Sequence, residues 1–418
     1  MRRTLLSLAL AGALLGAPAV TPGVLAAEEL PFEPTVGVTF NDPTRRSTSN
    51  LILRQVLESV RNTLPGEQIR VATWNFDDEA SVKALVDAAQ RGVKVQVVVS
   101  GAVANPNWRA LRQALNNDAS EDTFAVQCHS GCRSRSPIMH TKMYLFSRVG
   151  TSGHLSMFGS SNLTTPARNR QWNDLITTGS TKVYDFLTRI FDQYALDESV
   201  PDPYEVRTLG DYRVWVYPVG DRNPQATQLK KVRCHGATGA TGTRDGRTRI
   251  RVSVAGWFDS YGQAIADQLR RLWDQGCDVK VVTTLAGRGV NQTLKARTGR
   301  GPIPVRQLAW DRDGDGVPDR YLHSKSMAIS GVFRGDTSAS VVLTGSPNWS
   351  TRAAASDEIW VRVLDRPGMT RRYLQRVDQL FASRFSSPRV MTRADLHRAL
   401  QRHARVSGQQ HPEWLELD

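Results

Sequence analysis

The chain has 418 residues, with 54 Lys plus Arg against 40 Asp plus Glu and a formal charge of +14. That length accommodates two domains of ordinary size, each able to bury a core. The charge points to an anionic partner without telling a lipid surface from a nucleic acid, and taken alone it also fits a solvated surface. Beyond residue 26 no stretch is apolar and long enough to span a bilayer, which excludes an internal membrane segment.

In chain order, Met1-Arg2-Arg3, the apolar run Leu5 to Leu15 and the small-residue site Val24-Leu25-Ala26 are expected to form a signal peptide over residues 1–26. The mature protein then starts at Ala27, is secreted, and carries 52 basic against 40 acidic residues after loss of Arg2 and Arg3, a charge of +12. A membrane anchor is the competing reading. Val36 to Phe40 reads as an opening strand and Ser49 to Leu64 as a helix, with Leu51, Val56, Leu57 and Val60 on one face. Strand, amphipathic helix and strand follow, from Ile69 to Phe76 and from Arg91 to Val99. The same series returns later: an opening strand at Val214 to Tyr217, then Ile250 to Phe258 and Gln275 to Thr283. Alternating strands and helices predict an α/β sandwich in each half, built on mixed, mostly parallel sheets flanked by helices. The halves are placed at 35–205 and 206–395, with a tail over 396–418.

Four cysteines allow three pairings, and sequence proximity favours Cys128 with Cys132 and Cys234 with Cys277. A zinc site of Cys128, His129 and Cys132 is the alternative for the first pair. Between Cys234 and Arg249 a Gly-Ala-Thr repeat reads as a loop, and the basic, glycine-punctuated segment Arg288 to Arg300 is expected to form a mobile lip over the site. Asp311, Asp313, Asp315 and Asp319 stand at positions 1, 3, 5 and 9 of a calcium-type loop with Gly316 at position 6. Leu322 in place of Glu at position 12 excludes a complete EF-hand, leaving a structural Ca2+ or an acidic solvated turn. Helices are expected from Thr370 to Phe385 and from Thr392 to Arg405, the latter with Thr392 as N-cap and Asp395 three residues on.

The pattern that carries chemistry is written twice. His140-x-Lys142 precedes Gly159-Ser160-Ser161-Asn162, and His323-x-Lys325 precedes Gly345-Ser346-Pro347-Asn348. Both His-x-Lys pairs lie in strand-like runs, where positions i and i+2 share a face, so an imidazole and an ammonium project together. In each half a second strand ends in Gly-Ser-x-Asn, where glycine permits a tight turn and Ser and Asn add donors. Such a donor-rich pocket suits a phosphate whose charge shifts during reaction. Asn173-Asp174 and Asp357-Glu358 follow, with Asp174 and Glu358 34 and 35 residues after their histidines. A carboxylate is thus expected to orient each imidazole.

On these residues the chain resembles the phospholipase D superfamily, with two His-x-Lys motifs each followed by Gly-Ser-x-Asn; the resemblance covers nearly all of the chain beyond residue 26. It departs where the motif Asp, five residues after each Lys, is Ser147 and Ser330. The resemblance implies two phospholipase D-like lobes related by internal duplication. It also implies cleavage of a phosphodiester without a catalytic metal. His140 is then the nucleophile and His323 the acid, Lys142, Lys325, Asn162 and Asn348 hold the non-bridging oxygens, and Ser160 and Ser346 are adjacent donors. A secreted phospholipase D-type enzyme acting on phosphoglycerides at a membrane surface is the leading expectation. A secreted nuclease acting on DNA or RNA is the second, and a non-catalytic binder of phosphate-rich surfaces the third. The two repeats predict a monomer that is internally a pseudo-dimer.

Overall fold

A computed structural model describes residues 32–101, 103–135 and 137–407; the expected signal peptide and the end of the tail, with His411, lie outside them. The described residues form one compact unit. The first sheet has seven strands in the order Gly37–Phe40, Asp174–Thr178, Ser152–Gly159, Lys142–Val149, Gln68–Thr73, Lys94–Val99 and Phe124–Gln127. In the second, Tyr212–Val216, Ile359–Leu364, Asp336–Gly345, Lys325–Phe333, Arg249–Trp257, Asp278–Ala286 and Val305–Trp310 follow one another in the same way. Strand for strand, the two orders are alike, as a repeated unit requires.

The sheets are mixed, but antiparallel pairings outnumber parallel ones, correcting the expected parallel majority. In the first half the parallel strand pairs join Gln68–Thr73 to Lys94–Val99 and Lys94–Val99 to Phe124–Gln127, and their connections run through helices. The strand that opens with each motif Lys and the strand that ends in Gly-Ser-x-Asn form a hairpin, and a hairpin pairs antiparallel.

Helices cover the sheets because their apolar positions recur at helical spacing. Leu51–Arg61 buries Ile52, Leu53, Val56, Leu57 and Val60, and Glu79–Gln90 begins where the Asp78 carboxylate accepts from Ser81 N–H. Each half has a cluster of its own, one around Val56, Val71 and Trp108, the other around Val252, Leu269 and Trp257. A third cluster joins Ile176, Leu187, Phe191 and Tyr194 of the first half to Val214, Val361 and Tyr373 of the second. The halves therefore share part of their core.

Local chemistry explains three further details. Arg288–Leu294 is a helix, and the segment after it is tied down: Arg270 donates to the carbonyls of Ala296, Thr298 and Gly301, and Arg300 stacks on Trp273 at 4.0 Å. The expected mobile lip is thus a fastened segment. The helix Arg393–Ser407 opens with Thr392 and Asp395 capping each other and runs through the expected 395/396 boundary, burying Leu396 and Ala399 against Phe258 and Tyr321. Both disulfides join the cysteines that proximity favours, Cys128–Cys132 and Cys234–Cys277, so no thiolate pair remains for zinc.

Candidate active site

Each half reaches across to the other beside its own histidine. Gln171–Trp172 pairs in parallel with Tyr321 and Leu322, and Met139 bridges Asp357. His323 N–H donates to the Trp172 carbonyl and His140 N–H to the Asp357 carbonyl, both at 2.9 Å. The imidazoles are consequently fastened from the opposite repeat: His140 Nδ1 lies 2.7 Å from Glu358 Oε1, and His323 Nδ1 lies 2.8 Å from Asn173 Oδ1. His140 is 2% exposed and His323 fully buried, so neither pair competes with bulk water.

This corrects the expected role of Asp174. Strand register shows why: Ser160 N–H donates to the Asp174 carbonyl as Ser346 N–H donates to that of Ile359. Asp174 thus corresponds to Ile359, and Asn173 to Glu358. The Asp174 carboxylate instead accepts from Ser160 Oγ at 3.0 Å, Thr344 Oγ1 at 2.5 Å and Tyr373 OH at 2.7 Å. It joins the halves behind the imidazoles, and burial together with this carboxylate holds the Tyr373 phenol well above its ordinary pKa.

The remaining candidates divide. Lys142 Nζ donates to the His140 carbonyl at 2.9 Å and lies 5.7 Å from the Trp74 ring centroid, which also stands edge-on to His140. Lys325 Nζ is 2.8 Å from His323 Nε2. Asn162 Oδ1 accepts from Thr73 Oγ1 and Asn348 Oδ1 from Gly256 N–H, each at 3.2 Å, which fixes Nδ2 as the donor end of either carboxamide. Ser160 and Ser346 direct their hydroxyls to the neighbouring strand, and the Ser346 hydroxyl accepts from Ile359 N–H at 3.1 Å, so both serve the turn. The preceding glycines are required there. A Cβ on Gly159 would overlap the Asp174 carbonyl, and one on Gly345 that of Ile359.

A tight chamber lined by His140, Asn348, Glu358, Ile138, Ser350 and Arg352 opens beside His140. Glu358 Oε2 is buried without a hydrogen-bond partner in the protein, an acceptor that a substrate donor can satisfy. Ser147, in place of a motif Asp, accepts from Gln68 N–H and donates to Glu67, and Ser330 accepts from Gly242 N–H; both stand well along the strand from the imidazoles. Sequence reading missed Asn173 as an imidazole partner, along with Trp74, Thr344 and Tyr373. Counting from the Gly-Ser-x-Asn turns rather than from the carboxylates would have found the first.

At the acidic loop, ligand atoms of Asp311, Asp313 and Asp315 lie within 4.8 Å of one another. Asp319 is drawn to Arg312 N–H at 2.8 Å, and Asp315 is held by His403. Three of the four expected carboxylates converge, and their hard oxygens suit Ca2+.

Residues 60–195 match the family described as "Cardiolipin synthase, PLD-like domain". Phosphatidylserine synthase of Haemophilus influenzae Rd KW20 superposes with a TM-score of 0.55 at 12% identity, over 93% of this chain and 97% of that one. Polyphosphate kinase of Porphyromonas gingivalis gives 0.52 at 14% identity over 88% of this chain, which spans 55% of the kinase's length. Nuc of Salmonella typhimurium gives 0.28 at 22% identity, over 39% of this chain and 94% of that one. Among curated proteins none matches. The fold and doubled motif define a phospholipase D-like architecture. Over residues 60–195 the chain is similar to a PLD-like domain, and the two-lobed solved structure of the synthase shares its fold. Proteins of the phospholipase D superfamily cleave or transfer phosphodiesters of phospholipids or nucleic acids, generally without a metal.

Proposed function

We propose that the protein is a metal-independent phosphodiesterase in which His140 and His323 act on one phosphorus atom. The observation that carries this is the crossed pairing of two buried imidazoles with unlike partners, a carboxylate for His140 and a neutral amide for His323. His140 Nε2 attacks phosphorus and the bond to the leaving alcohol breaks, while His323 gives that oxygen its Nε2 proton. Water then attacks the phosphohistidine, His323 takes a proton from it, and the P–N bond breaks. The imidazole that gains positive charge is backed by an anion, which stabilises the intermediate. The imidazole that loses positive charge faces an amide and the Lys325 ammonium, which together make it the stronger acid. Bound phosphate draws Lys325 from His323 Nε2 to a non-bridging oxygen, with Lys142, Asn162 and Asn348 on the others. Two imidazoles oriented this way exceed what a mere binder of phosphate surfaces requires.

A phosphoglyceride is the first substrate reading, supported by the cardiolipin-synthase-type domain match and the expected export. All four cysteines are paired, which suits an oxidising compartment. Nucleic acid is the second. The mature charge of +12 favours it, as does the surface: among the described residues the exposed large hydrophobics are Val36, Leu64 and Leu196. The protein acts as a monomer, its two repeats standing in for two subunits. A structural Ca2+ at Asp311, Asp313 and Asp315 completes the reading, and a rise in Tm on adding Ca2+ to EDTA-treated protein tests it.

The decisive experiment incubates purified protein, with EDTA present, on phosphatidylcholine vesicles and on plasmid DNA. Headgroup release without nicking supports the first substrate and nicking alone the second. His140→Ala and His323→Ala should each abolish whichever activity appears, with folding unchanged by circular dichroism. Substantial turnover in either variant ends the shared-centre reading.

A further inference from the structure

The register that equates Asn173 with Glu358 equates Trp172 with Asp357. Both residues use their carbonyl in the same way, accepting the N–H of the neighbouring histidine. Their side chains differ, because the second half places a carboxylate where the first has an indole. That carboxylate is fully buried and faces the disulfide loop of the first half: Oδ1 accepts from Ser134 Oγ at 2.6 Å and Oδ2 from Arg133 N–H at 3.1 Å. Its backbone is fastened on both sides as well, N–H to the Ile138 carbonyl at 3.0 Å and carbonyl to His140 N–H at 2.9 Å.

We propose that Asp357 is a positioning residue for the His140–Glu358 pair, clamping the Cys128–Cys132 loop against the strand that presents Glu358. The inference rests on His140 being the nucleophile. The clamp is built from both sides. The disulfide closes the loop just before Arg133, and the Arg133 side chain, 1% exposed, reaches Gln193 Oε1, the Pro203 carbonyl and the Tyr217 carbonyl. Tyr217 N–H in turn donates to the Glu358 carbonyl at 2.9 Å. The loop, the linker before the second half and the residue holding His140 thus form one hydrogen-bonded unit centred on Asp357.

The charged and titratable groups facing this carboxylate are Arg133 of the loop and Tyr194 of the helix Thr181–Leu196, while Glu358, its neighbour on the chain, pairs with His140. Burial raises its pKa to about 6, while Ser134, Arg133 and the Cys132 N–H pull the other way by stabilising the anion. An Asn would keep one acceptor for the Arg133 N–H but turn its NH2 to Ser134 Oγ, reversing that hydrogen bond and removing the charge that strengthens both.

The test compares wild type, Asp357→Asn and Ser134→Ala in two measurements. One is turnover of bis(p-nitrophenyl) phosphate, where each variant should lose kcat by about tenfold to a hundredfold with KM little changed, as displacement of a reacting group does. Ser134→Thr should restore most of it. The other is the low-field Nδ1–H proton resonance of His140, which needs no substrate; it should be present in wild type and lost or moved upfield in both clamp variants. Ser134→Ala removes a single hydroxyl, so it remains informative should Asp357→Asn fail to fold. An unchanged resonance and unchanged kcat in the clamp variants overturn the proposal. A wild type that shows the resonance, loses it on clamp substitution and turns over no diester leaves the clamp standing and removes the phosphodiesterase reading.

Discussion

Replacing Glu358 by Gln isolates the charge behind His140 while keeping the geometry. Gln Oε1 can still accept from Nδ1–H at the present 2.7 Å, so the tautomer that puts the lone pair on Nε2 is retained. What disappears is the anion opposite a ring that becomes positive when it bonds to phosphorus. A hydrogen bond to a charged group contributes about 1.5–3 kcal/mol and a neutral one about 0.5–1.5. Because both side chains are at most 2% exposed, little of that difference is screened. A loss of about 1.4 kcal/mol corresponds to a tenfold fall in kcat. Single-turnover hydrolysis of a chromogenic diester should show that fall in formation of the phosphohistidine, with KM nearly unchanged. Glu358→Ala, which also removes the acceptor that fixes the tautomer, should be slower still. If Glu358→Gln keeps at least half of the wild-type rate while Glu358→Ala loses nearly all, the carboxylate works by orientation alone, and the charge argument for assigning His140 as nucleophile is refuted.

The mirror substitution, Asn173→Asp, places an anion against His323; it should make this acid weaker, moving the alkaline limb of the pH–rate profile upward and lowering kcat about fivefold, whereas an unmoved limb would dissociate Asn173 from acid strength. Asp357 binds its proton more tightly folded than unfolded, so its contribution to stability is fully present below about pH 3.8 and is lost as pH rises through about 6. At roughly 1.4 kcal/mol per decade that window spans about 3 kcal/mol, and urea unfolding of Asp357→Asn across pH 4–7 should lack this slope. The buried Cys234–Cys277 bridge closes a separation of 43 residues, for which chain entropy gives about 4 kcal/mol; the double Ser variant should show a Tm lower by several degrees, and an unchanged Tm would show that the bridge constrains little.

How far the site could be read in advance follows from which interactions are local. His140 with Lys142 and His323 with Lys325 share a strand face, a matter of period two, and each Gly-Ser-x-Asn turn closes a hairpin within some 20 residues; both were legible. The imidazole partners were not, because His140 meets a residue 218 positions away and His323 one 150 away. No periodicity records which half a strand end will pair with. Carboxylate chemistry then pointed to Asp174, one residue off, and a shift of one in a strand turns a side chain to the other face. The same limit applies to the fastened segment after Leu294: its basic, glycine-rich sequence looks mobile until Arg270 and Trp273 are brought against it by the fold.

Crossed fastening also accounts for how two copies of one pattern can perform unlike tasks. A nucleophile and an acid need opposite electrostatic support, and repeats with identical partners would supply the same support twice. Here the backbone device is common to both, a carbonyl that accepts the N–H of each motif histidine, while divergence is concentrated at two adjacent positions, Trp172-Asn173 against Asp357-Glu358. One substitution pair sets the charge behind each imidazole. The other decides whether a neighbouring loop is held by an indole that reaches Asp42 or by a carboxylate that reaches Ser134. Since the strand that presents Glu358 belongs to the half opposite its imidazole, and the shared core includes Ile176 and Val361, neither repeat folded alone has the groups to make the distinction.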